Sequence, residues 1–215
     1  MDLRFERVKR LFKDDFKRFQ ELKIIVLGVG GVGGYAVDCL LRSGFKDITI
    51  VDNDYFDITN LNRQIGSENI GDLKVDFFKK LYPNIKTINK RVTTENINEF
   101  NFNSYDLIID AIDDIAVKVE LISKFYNKII SSMGSANRIN PLKIGVTSIW
   151  KTFNDPFAKA IRYRLKKIGF NKDIEVIFSS ELPISKNMGT FVAVTGSFGL
   201  VICAEVIKKI QKEQI

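Results

Sequence analysis

The chain has 215 residues, 45% of them hydrophobic and 27% charged, which is typical of one soluble globular domain with a sizeable core. It contains no histidine, which excludes imidazole-based catalysis, and its two isolated cysteines, Cys39 and Cys203, argue against a zinc site. The net charge of +7 favours an anionic partner such as a nucleic acid or a nucleotide, although a lysine-rich proteome would produce the same excess.

The first predicted element is a helical arm over residues 1–22, ahead of the first strand. The run MDLRFERVKRLFKDDF is charged throughout, so no signal peptide is expected there. Apolar residues recur at steps of three and four, which predicts one amphipathic helix over residues 3–22. These residues are Phe5, Val8, Phe12, Phe16 and Phe19.

Residues 23–215 predict a single nucleotide-binding domain that begins with alternating strands and helices. Short apolar runs predict strands over Lys23–Leu27, Asp47–Val51, residues 87–92, Leu107–Asp110 and residues 128–132. Helical patterns fall between them, over residues 32–43, Lys74–Leu81 and residues 116–126. This alternation is typical of an α/β fold with a doubly wound, mostly parallel Rossmann-like sheet.

After residue 133 the pattern changes, and residues 134–190 are predicted to form an insertion on the substrate side of the domain. Additional strands are expected over residues 144–149, not necessarily parallel, and 174–178, with a helix over residues 156–168. Asp155 is placed to cap this helix, Pro156 to open its first turn, and Gly169 to end it. The polar residues 179–190 show no periodicity and predict a loop.

The last predicted helix covers residues 192–212. Its apolar run, FVAVTGSFGLVICAEVI, contains Glu205 and is shorter than the ~20 residues that a bilayer-spanning helix needs. We therefore expect a buried helix, no stable membrane insertion and a cytoplasmic protein. Cys39 and Cys203 both lie in apolar, helix-like runs and are expected to be buried free thiols.

A glycine-rich turn joins the first strand to the first helix of the domain. The run GVGGVG carries Gly28, Gly30, Gly31 and Gly33, and Asp52 ends the second strand. Glycines at this spacing let backbone N–H groups approach phosphate oxygens at a helix N-terminus, and the aspartate can accept hydrogen bonds from a ribose. The turn predicts nucleotide binding but leaves NAD and ATP as alternatives.

The polar block DNDYFDITNLNRQIG, after the second strand, favours ATP. Arg63 offers a guanidinium fork for phosphate oxygens, and Lys74 adds a second cation at the start of a helix. Both lie at the carboxyl edge of the predicted sheet, where doubly wound folds bind ligands. Two cations beyond the glycine turn match a triphosphate better than a pyrophosphate bridge, although surface lysines and arginines are usually only solvated.

The fourth strand ends in DAIDD, which places Asp110 and Asp113 near the same predicted crevice. A carboxylate there can hold Mg²⁺ against the phosphates, and we assign this role to Asp113. Asp114 is predicted to cap the following helix instead.

Together, GVGGVG, DND…TNLNRQ, the Lys74 helix and DAIDD resemble the ubiquitin-activating-enzyme-like (ThiF-type) superfamily of ATP-dependent adenylating enzymes. Within it, MGSANRINPLKIGVTSIWKTFNDPFAKAIRYRLKK and GTFVAVTGSFGLVICAEVI resemble the bacterial tRNA threonylcarbamoyladenosine dehydratases. The resemblance extends from Arg4 to about Ile210, so it covers nearly the whole chain.

The resemblance implies a homodimer that binds ATP and Mg²⁺, with an arginine of one subunit's arm reaching the neighbouring site. Arg10 is the best match for that arginine, ahead of Arg4 and Arg7. The implied catalytic residues are Arg63, Lys74, Asp113 and Arg10. The implied nucleotide-binding residues are Gly28, Gly30, Gly31, Gly33, Asp52, Asp54, Asn60, Arg63, Lys74 and Asp113, the last also holding the metal.

The implied reaction adenylates the carboxylate of threonylcarbamoyladenosine in tRNA and lets the neighbouring carbamoyl group close a ring, with net loss of water. Two alternatives share parts of the pattern: an adenylyltransferase for a ubiquitin-like sulfur carrier and an NAD-dependent oxidoreductase. The sequence lacks the paired CxxC zinc ligands of many sulfur-carrier-activating relatives. The resemblance specifies no sulfur or redox partner, and Val176 and Ile177 stand in the stretch where some relatives have a cysteine.

The predicted helix after Pro156 has an apolar face and a basic face. Its basic residues are Lys159, Arg162, Arg164, Lys166 and Lys167. Because the implied substrate is a polyanion, we expect these side chains to contact the phosphate backbone of tRNA, although a solvated amphipathic helix would show the same pattern.

Overall fold

The computed structural model describes residues 3–185 and 187–212. Over these residues the chain forms one seven-stranded sheet with helices on both faces. The strands are β1 (Lys23–Leu27), β2 (Asp47–Val51), β3 (Lys86–Ile88), β4 (Leu107–Asp110), β5 (Ile129–Ser132), β6 (Ile144–Ser148) and β7 (Glu175–Ser179). The α-helices are α1 (Glu6–Phe12), α2 (Asp15–Glu21), α3 (Gly33–Arg42), α4 (Lys74–Leu81), α5 (Ile115–Phe125), α6 (Pro156–Lys167) and α7 (Val192–Gln211).

The strands are arranged in the order β3-β2-β1-β4-β5-β7-β6. All paired neighbours are parallel except β6 and β7, which are antiparallel. This confirms the doubly wound, mostly parallel sheet with additional C-terminal strands. The strand order reverses between β1 and β4, and such sheets bind ligands beyond the carboxyl ends of the strands at that point.

The core lies on both faces of β1, the central strand. Ile24 and Val26 belong to one apolar cluster, with residues of α2, α3 and α7. Ile25 and Leu27 belong to the other, with residues of α5 and α6. All four side chains are fully buried, which explains why the strand reads as a continuous apolar run rather than an alternating one.

The N-terminal arm differs from the single predicted helix, because two helices, α1 and α2, meet at a break. Lys13 adopts a left-handed backbone conformation with φ of 48°, which turns the chain between them. The turn directs Phe16 and Phe19 into the core, where Phe19 stacks on Phe45 with ring centroids 4.8 Å apart. The second half of the arm is therefore part of the core of the domain.

The other predicted elements agree with the structure to within a residue at each end, apart from the third strand. This strand was expected over residues 87–92, but β3 ends at Ile88, and the chain then leaves the sheet as a loop. Asp155 and Asp114 cap α6 and α5 as predicted. Among the described residues, no helix is long and apolar enough to cross a membrane.

Candidate active site

A cavity of about 550 Å³ opens at the carboxyl ends of β1, β2 and β4, beside the reversal in strand order. The fold brings most of the predicted nucleotide residues to this cavity, although they are far apart in the chain. Those that line it are Gly28, Gly30, Gly31, Asp52, Asp54, Asn60, Arg63, Lys74 and Asp113. Gly33 lies just behind them, at the first position of α3.

The glycine turn depends on a close approach between two of its backbone segments. Gly28 has a left-handed backbone with φ of 84°, and its N–H donates to the carbonyl of Val51 at 2.8 Å. A Cβ atom on Gly33 would lie only 1.8 Å from the carbonyl oxygen of Gly28, so no other residue fits there without a shift of the backbone. The turn thus aims the N-terminus of α3 at the cavity, where an anion is favoured.

Asp52 links the glycine turn to the end of β2. One carboxylate oxygen accepts from the N–H of Val29 and the other from the N–H of Asp54, both at 2.8 Å. Asp52 lines the cavity, and its carboxylate has further lone pairs that can accept hydrogen bonds from ribose hydroxyls.

The two predicted phosphate-binding cations both line the cavity. The Arg63 guanidinium donates to the carbonyl of Thr59 at 2.8 Å and to Asn62 Oδ1 at 2.9 Å. Lys74 is almost fully buried, and its Nζ lies 3.0 Å from a carboxylate oxygen of the exposed Asp54. Asp54 therefore pairs with Lys74 at the cavity wall.

A short helical turn over Ile58–Asn60 supports Arg63. The Asp57 carboxylate accepts from the N–H of Thr59 at 2.9 Å, and Asn60 Oδ1 accepts from the N–H of Asp57 at 3.2 Å. The hydrogen bonds from Thr59 lower the pKa of Asp57. Asn60 is buried, and its side-chain oxygen Oδ1 is already used by this reciprocal capping.

Asp113 was predicted to hold a metal ion, and it lines the cavity together with Asp114. It is exposed at the cavity, and within residues 3–185 and 187–212 its carboxylate has no hydrogen bond or ion pair. No cluster of three or more potential metal ligands occurs in that same part of the chain. A single exposed carboxylate at the cavity could hold Mg²⁺, which is commonly bound by one or two carboxylates together with phosphates and water.

The prediction that Asp110 also points near the crevice is wrong. Its side chain is fully buried and accepts from Lys118 Nζ and Ser131 Oγ, each at 2.7 Å. Asp110 shares its face of β4 with Ile108, which packs towards α5 and α6. Burial lowers the pKa of Lys118, while the adjacent Asp110 opposes that shift.

Several cavity residues were missed by the sequence reasoning. They are Gln64, Lys90, Arg91, Ser135, Thr190 and Thr195. Lys90 and Arg91 follow β3, and they would have been expected at this edge if the third strand had been predicted to end at Ile88. The Oε1 atom of Gln64 is buried without a hydrogen-bond partner among the described residues. The Nε2 atom of Gln64 lies near Gly30, 3.7 Å from where a Cβ atom on that glycine would be.

The loops after β5 and β7 form another part of the cavity wall, with Ser135 and Thr190, and are hydrogen-bonded to each other. Asn137 accepts at Oδ1 from the N–H of Gly189 at 2.6 Å, and its own N–H donates to the carbonyl of Gly189 at 2.8 Å. Asn62, beside Arg63, donates to Thr190 Oγ1 at 3.1 Å. The predicted loop over residues 179–190 is therefore connected to the segment that carries Arg63.

A buried arginine joins this wall to α6. Arg138 Nη2 lies 3.7 Å from Asp155, and its Nε donates to the carbonyl of Glu181 at 3.2 Å. Burial lowers the pKa of Arg138 and raises that of Asp155, whose carboxylate also caps α6 at the N–H of Ala158.

Four of the five predicted tRNA-binding side chains are exposed on α6. These are Lys159, Arg164, Lys166 and Lys167. Arg162 differs, because it is half-buried and donates to Thr152 Oγ1. Arg10 on α1 is exposed, pairs with Glu6 at 3.1 Å, and lies away from the cavity of its own chain.

The chain belongs to the ThiF family, whose sequence pattern matches residues 4–215. It is 38% identical to the tRNA threonylcarbamoyladenosine dehydratase of Bacillus subtilis, over 80% of this chain and 72% of the relative. The corresponding Escherichia coli enzyme is 29% identical over 96% of this chain and 92% of its own length. A structure of that E. coli dehydratase in complex with ATP superposes with a TM-score of 0.91 and covers 98% of this chain and 94% of the other.

Proposed function

We propose that this protein is an ATP-dependent dehydratase that acts on threonylcarbamoyladenosine in tRNA. It adenylates the carboxylate of the modified nucleoside and promotes intramolecular cyclisation, releasing AMP and pyrophosphate. The observation that carries the proposal is the cavity itself. It combines the glycine turn, Arg63, Lys74 and Asp113 in a chain that superposes along 98% of its length on a dehydratase structure that contains ATP.

The chemistry follows from the poor reactivity of a carboxylate. A carboxylate oxygen attacks the α-phosphorus of ATP, the bond to the bridging oxygen breaks, and pyrophosphate leaves. The resulting mixed anhydride has AMP as a good leaving group. The neighbouring carbamoyl group then attacks the acyl carbon and expels AMP, so the substrate loses the elements of one water. Intramolecular attack of this kind can contribute ~7–11 kcal/mol relative to an external nucleophile, which suits a site without histidine.

Each of the predicted site residues has a separate role in this reaction. The N–H groups of the glycine turn contact the phosphates, and Asp52 accepts from the ribose. Arg63 and Lys74 hold the departing pyrophosphate. Asp113 would hold Mg²⁺, which when bound neutralises phosphate charge.

The experiment is to measure AMP and pyrophosphate formation with modified tRNA, and to analyse the nucleoside product by mass spectrometry. Arg63→Ala should reduce AMP formation roughly 100-fold or more, because it removes a charged contact to the leaving group. Arg42→Ala is the matched control, since Arg42 is an exposed arginine on α3 that pairs with Asp38 away from the cavity.

The same assay separates the alternatives. AMP formation stimulated by modified tRNA, with a product lighter by one water, supports the dehydratase. Stimulation by a ubiquitin-like carrier protein instead would indicate the adenylyltransferase. Tight NAD binding that Arg63→Ala does not weaken, together with no cleavage of ATP, would contradict both the dehydratase and the adenylyltransferase.

Two further features complete the proposal. The exposed basic side chains of α6 contact the tRNA backbone, which agrees with their position beside the wall formed by Arg138 and Asp155. The enzyme acts as a homodimer in which Arg10 completes the site of the neighbouring subunit. The exposed position of Arg10, away from its own cavity, supports this role.

A further inference from the structure

A fully buried ion pair lies directly behind the wall that carries Asp113. The side chains of Lys118 on α5 and Asp110 at the end of β4 are both 0% exposed, and their charged atoms are 2.7 Å apart. Ser131, the partner of Asp110 in the register of β4 with β5, donates to the same carboxylate at 2.7 Å and lies 3.3 Å from Lys118 Nζ. The reaction described above uses none of these three side chains.

Stability alone gives a weak reason for such a pair. Removing two charges from water is costly, and well-packed apolar residues of similar shape often stabilise a protein as well or better. In some proteins a buried pair instead specifies one arrangement of the backbone that carries it. The backbone here is the turn from β4 to α5, which faces the cavity.

The turn is held at both ends by α5. At its start, Lys118 Nζ contacts the Asp110 carboxylate and lies 3.4 Å from the Asp110 carbonyl oxygen. At its end, Asp114 accepts from the N–H groups of Ala116 and Val117, at 2.8 and 3.1 Å. Only three residues remain between these anchors, and the last of them is Asp113.

The same turn packs against the glycine turn. A Cβ atom on Gly28 would lie 3.0 Å from the carbonyl oxygen of Ala111, and one on Gly33 would lie 3.3 Å from the Ala111 side chain. A shift of the β4–α5 turn would therefore alter the distance between Asp113 and the phosphate-binding backbone. On its other side, Lys118 Nζ lies 5.9 Å from the ring of Phe157, in the first turn of α6.

We propose that Lys118 is a positioning residue for adenylation: by binding both the carboxylate and the carbonyl of Asp110, it fixes the turn that presents Asp113 to the nucleotide. The proposal rests on the proposed function, in which Asp113 acts at the triphosphate. Lys118 itself touches neither substrate nor nucleotide and acts through the backbone.

The test replaces the whole buried group by apolar residues of similar shape, Asp110→Leu, Lys118→Met and Ser131→Ala together. No uncompensated buried charge remains, so this triple variant should fold with a melting temperature close to or above that of the wild type. Lys118→Met alone leaves Asp110 unpaired and should melt earlier. Lys124→Met is the matched control, since Lys124 is an exposed lysine of α5 that pairs with Glu120.

Three measurements follow the role of the turn. In the triple variant, we expect hydrogen–deuterium exchange at the amide of Ala111, whose N–H donates to the carbonyl of Leu27 at 2.9 Å, to accelerate about tenfold. The gain in ATP affinity on adding Mg²⁺, compared with EDTA, should shrink about tenfold. AMP formation with modified tRNA should fall at least tenfold, while Lys124→Met should match the wild type in all three.

A purely structural role predicts a different result. A triple variant as stable as the wild type, with unchanged amide exchange and unchanged Mg²⁺-dependent ATP binding, would overturn the proposal. These two measurements need no tRNA, so they test Lys118 even if the tRNA reaction fails. Absence of AMP formation by the wild-type enzyme would bear on the proposed function instead.

Discussion

The site depends at the residue scale on contacts that tolerate no additional atoms. Gly33 begins α3 directly against the carbonyl of Gly28, and Ala111 closes the turn from the other side. A single methyl group at Gly33 must therefore displace the backbone that contacts the phosphates.

Gly33→Ala should separate this packing role from the general cost of replacing glycine. The Cβ atom would lie 1.8 Å from the Gly28 carbonyl oxygen, so we expect ATP affinity to fall at least tenfold and stability to drop by about 1–3 kcal/mol. Gly145→Ala on β6 is the control, because its Cβ atom would meet nothing within 4 Å. Calorimetric titration with ATP and chemical denaturation measure the two effects, and equal behaviour of the variants would contradict the packing argument.

At the scale of elements, most of the helices and strands could be predicted from the sequence. The run KIIVL, the glycine turn and the Asp155–Pro156 cap predicted β1, α3 and α6 because each signal is local. The prediction of the N-terminal arm was wrong because the deciding contact is distant in the chain. The apolar residues of the arm follow one helical period across both α1 and α2. The chain nevertheless turns at Lys13, because Phe16 and Phe19 pack against the core.

The site was predictable to a similar degree and for the same reason. Motif spacing identified Arg63, Lys74 and Asp113, which all line the cavity. Asp110 was misplaced because its environment is set by Lys118 and by a partner on another strand. One signal was present in the sequence: Lys118 lies in an otherwise apolar stripe of α5, where an unpaired lysine would be costly.

The basic face of α6 can be tested as a unit. Lys159, Arg164 and Lys167 are exposed, so changing all three to Gln should remove phosphate contacts without disturbing the apolar face. We expect tRNA affinity to fall at least tenfold at low salt. The slope of log affinity against log salt should become shallower by about 2–3, because each lost contact removes roughly 0.7–0.9 from it.

A control of equal charge excludes a general electrostatic effect in this experiment. Lys80, Lys86 and Lys124 are ion-paired on other elements, α4, β3 and α5, and changing them to Gln lowers the net charge by the same amount. The control variant should keep a salt slope close to that of the wild type. If both variants lose affinity and slope equally, α6 has no special contact with tRNA.

At the scale of the whole molecule, the arm and the cavity belong to different parts of one chain, and the proposed homodimer brings them together. The Arg10 side chain is 75% exposed and pairs with Glu6 on the same helix. Arg63, in contrast, lines the cavity. If Arg10 acts on the neighbouring subunit, each site needs an intact cavity from one chain and an intact arm from the other.

Mixed dimers test this arrangement directly. Arg10→Ala and Arg63→Ala should each be inactive alone, but a dimer with one subunit of each contains one complete site. Random mixing makes half of the dimers mixed, so AMP formation should recover to about a quarter of the wild-type rate per subunit, by the symmetry of a two-fold interface. Mixing Arg63→Ala with Lys74→Ala is the control, because every site then keeps one defective cavity residue and no activity should return. Recovery in neither mixture, with dimers verified by differential tags, would show that Arg10 does not act across the interface.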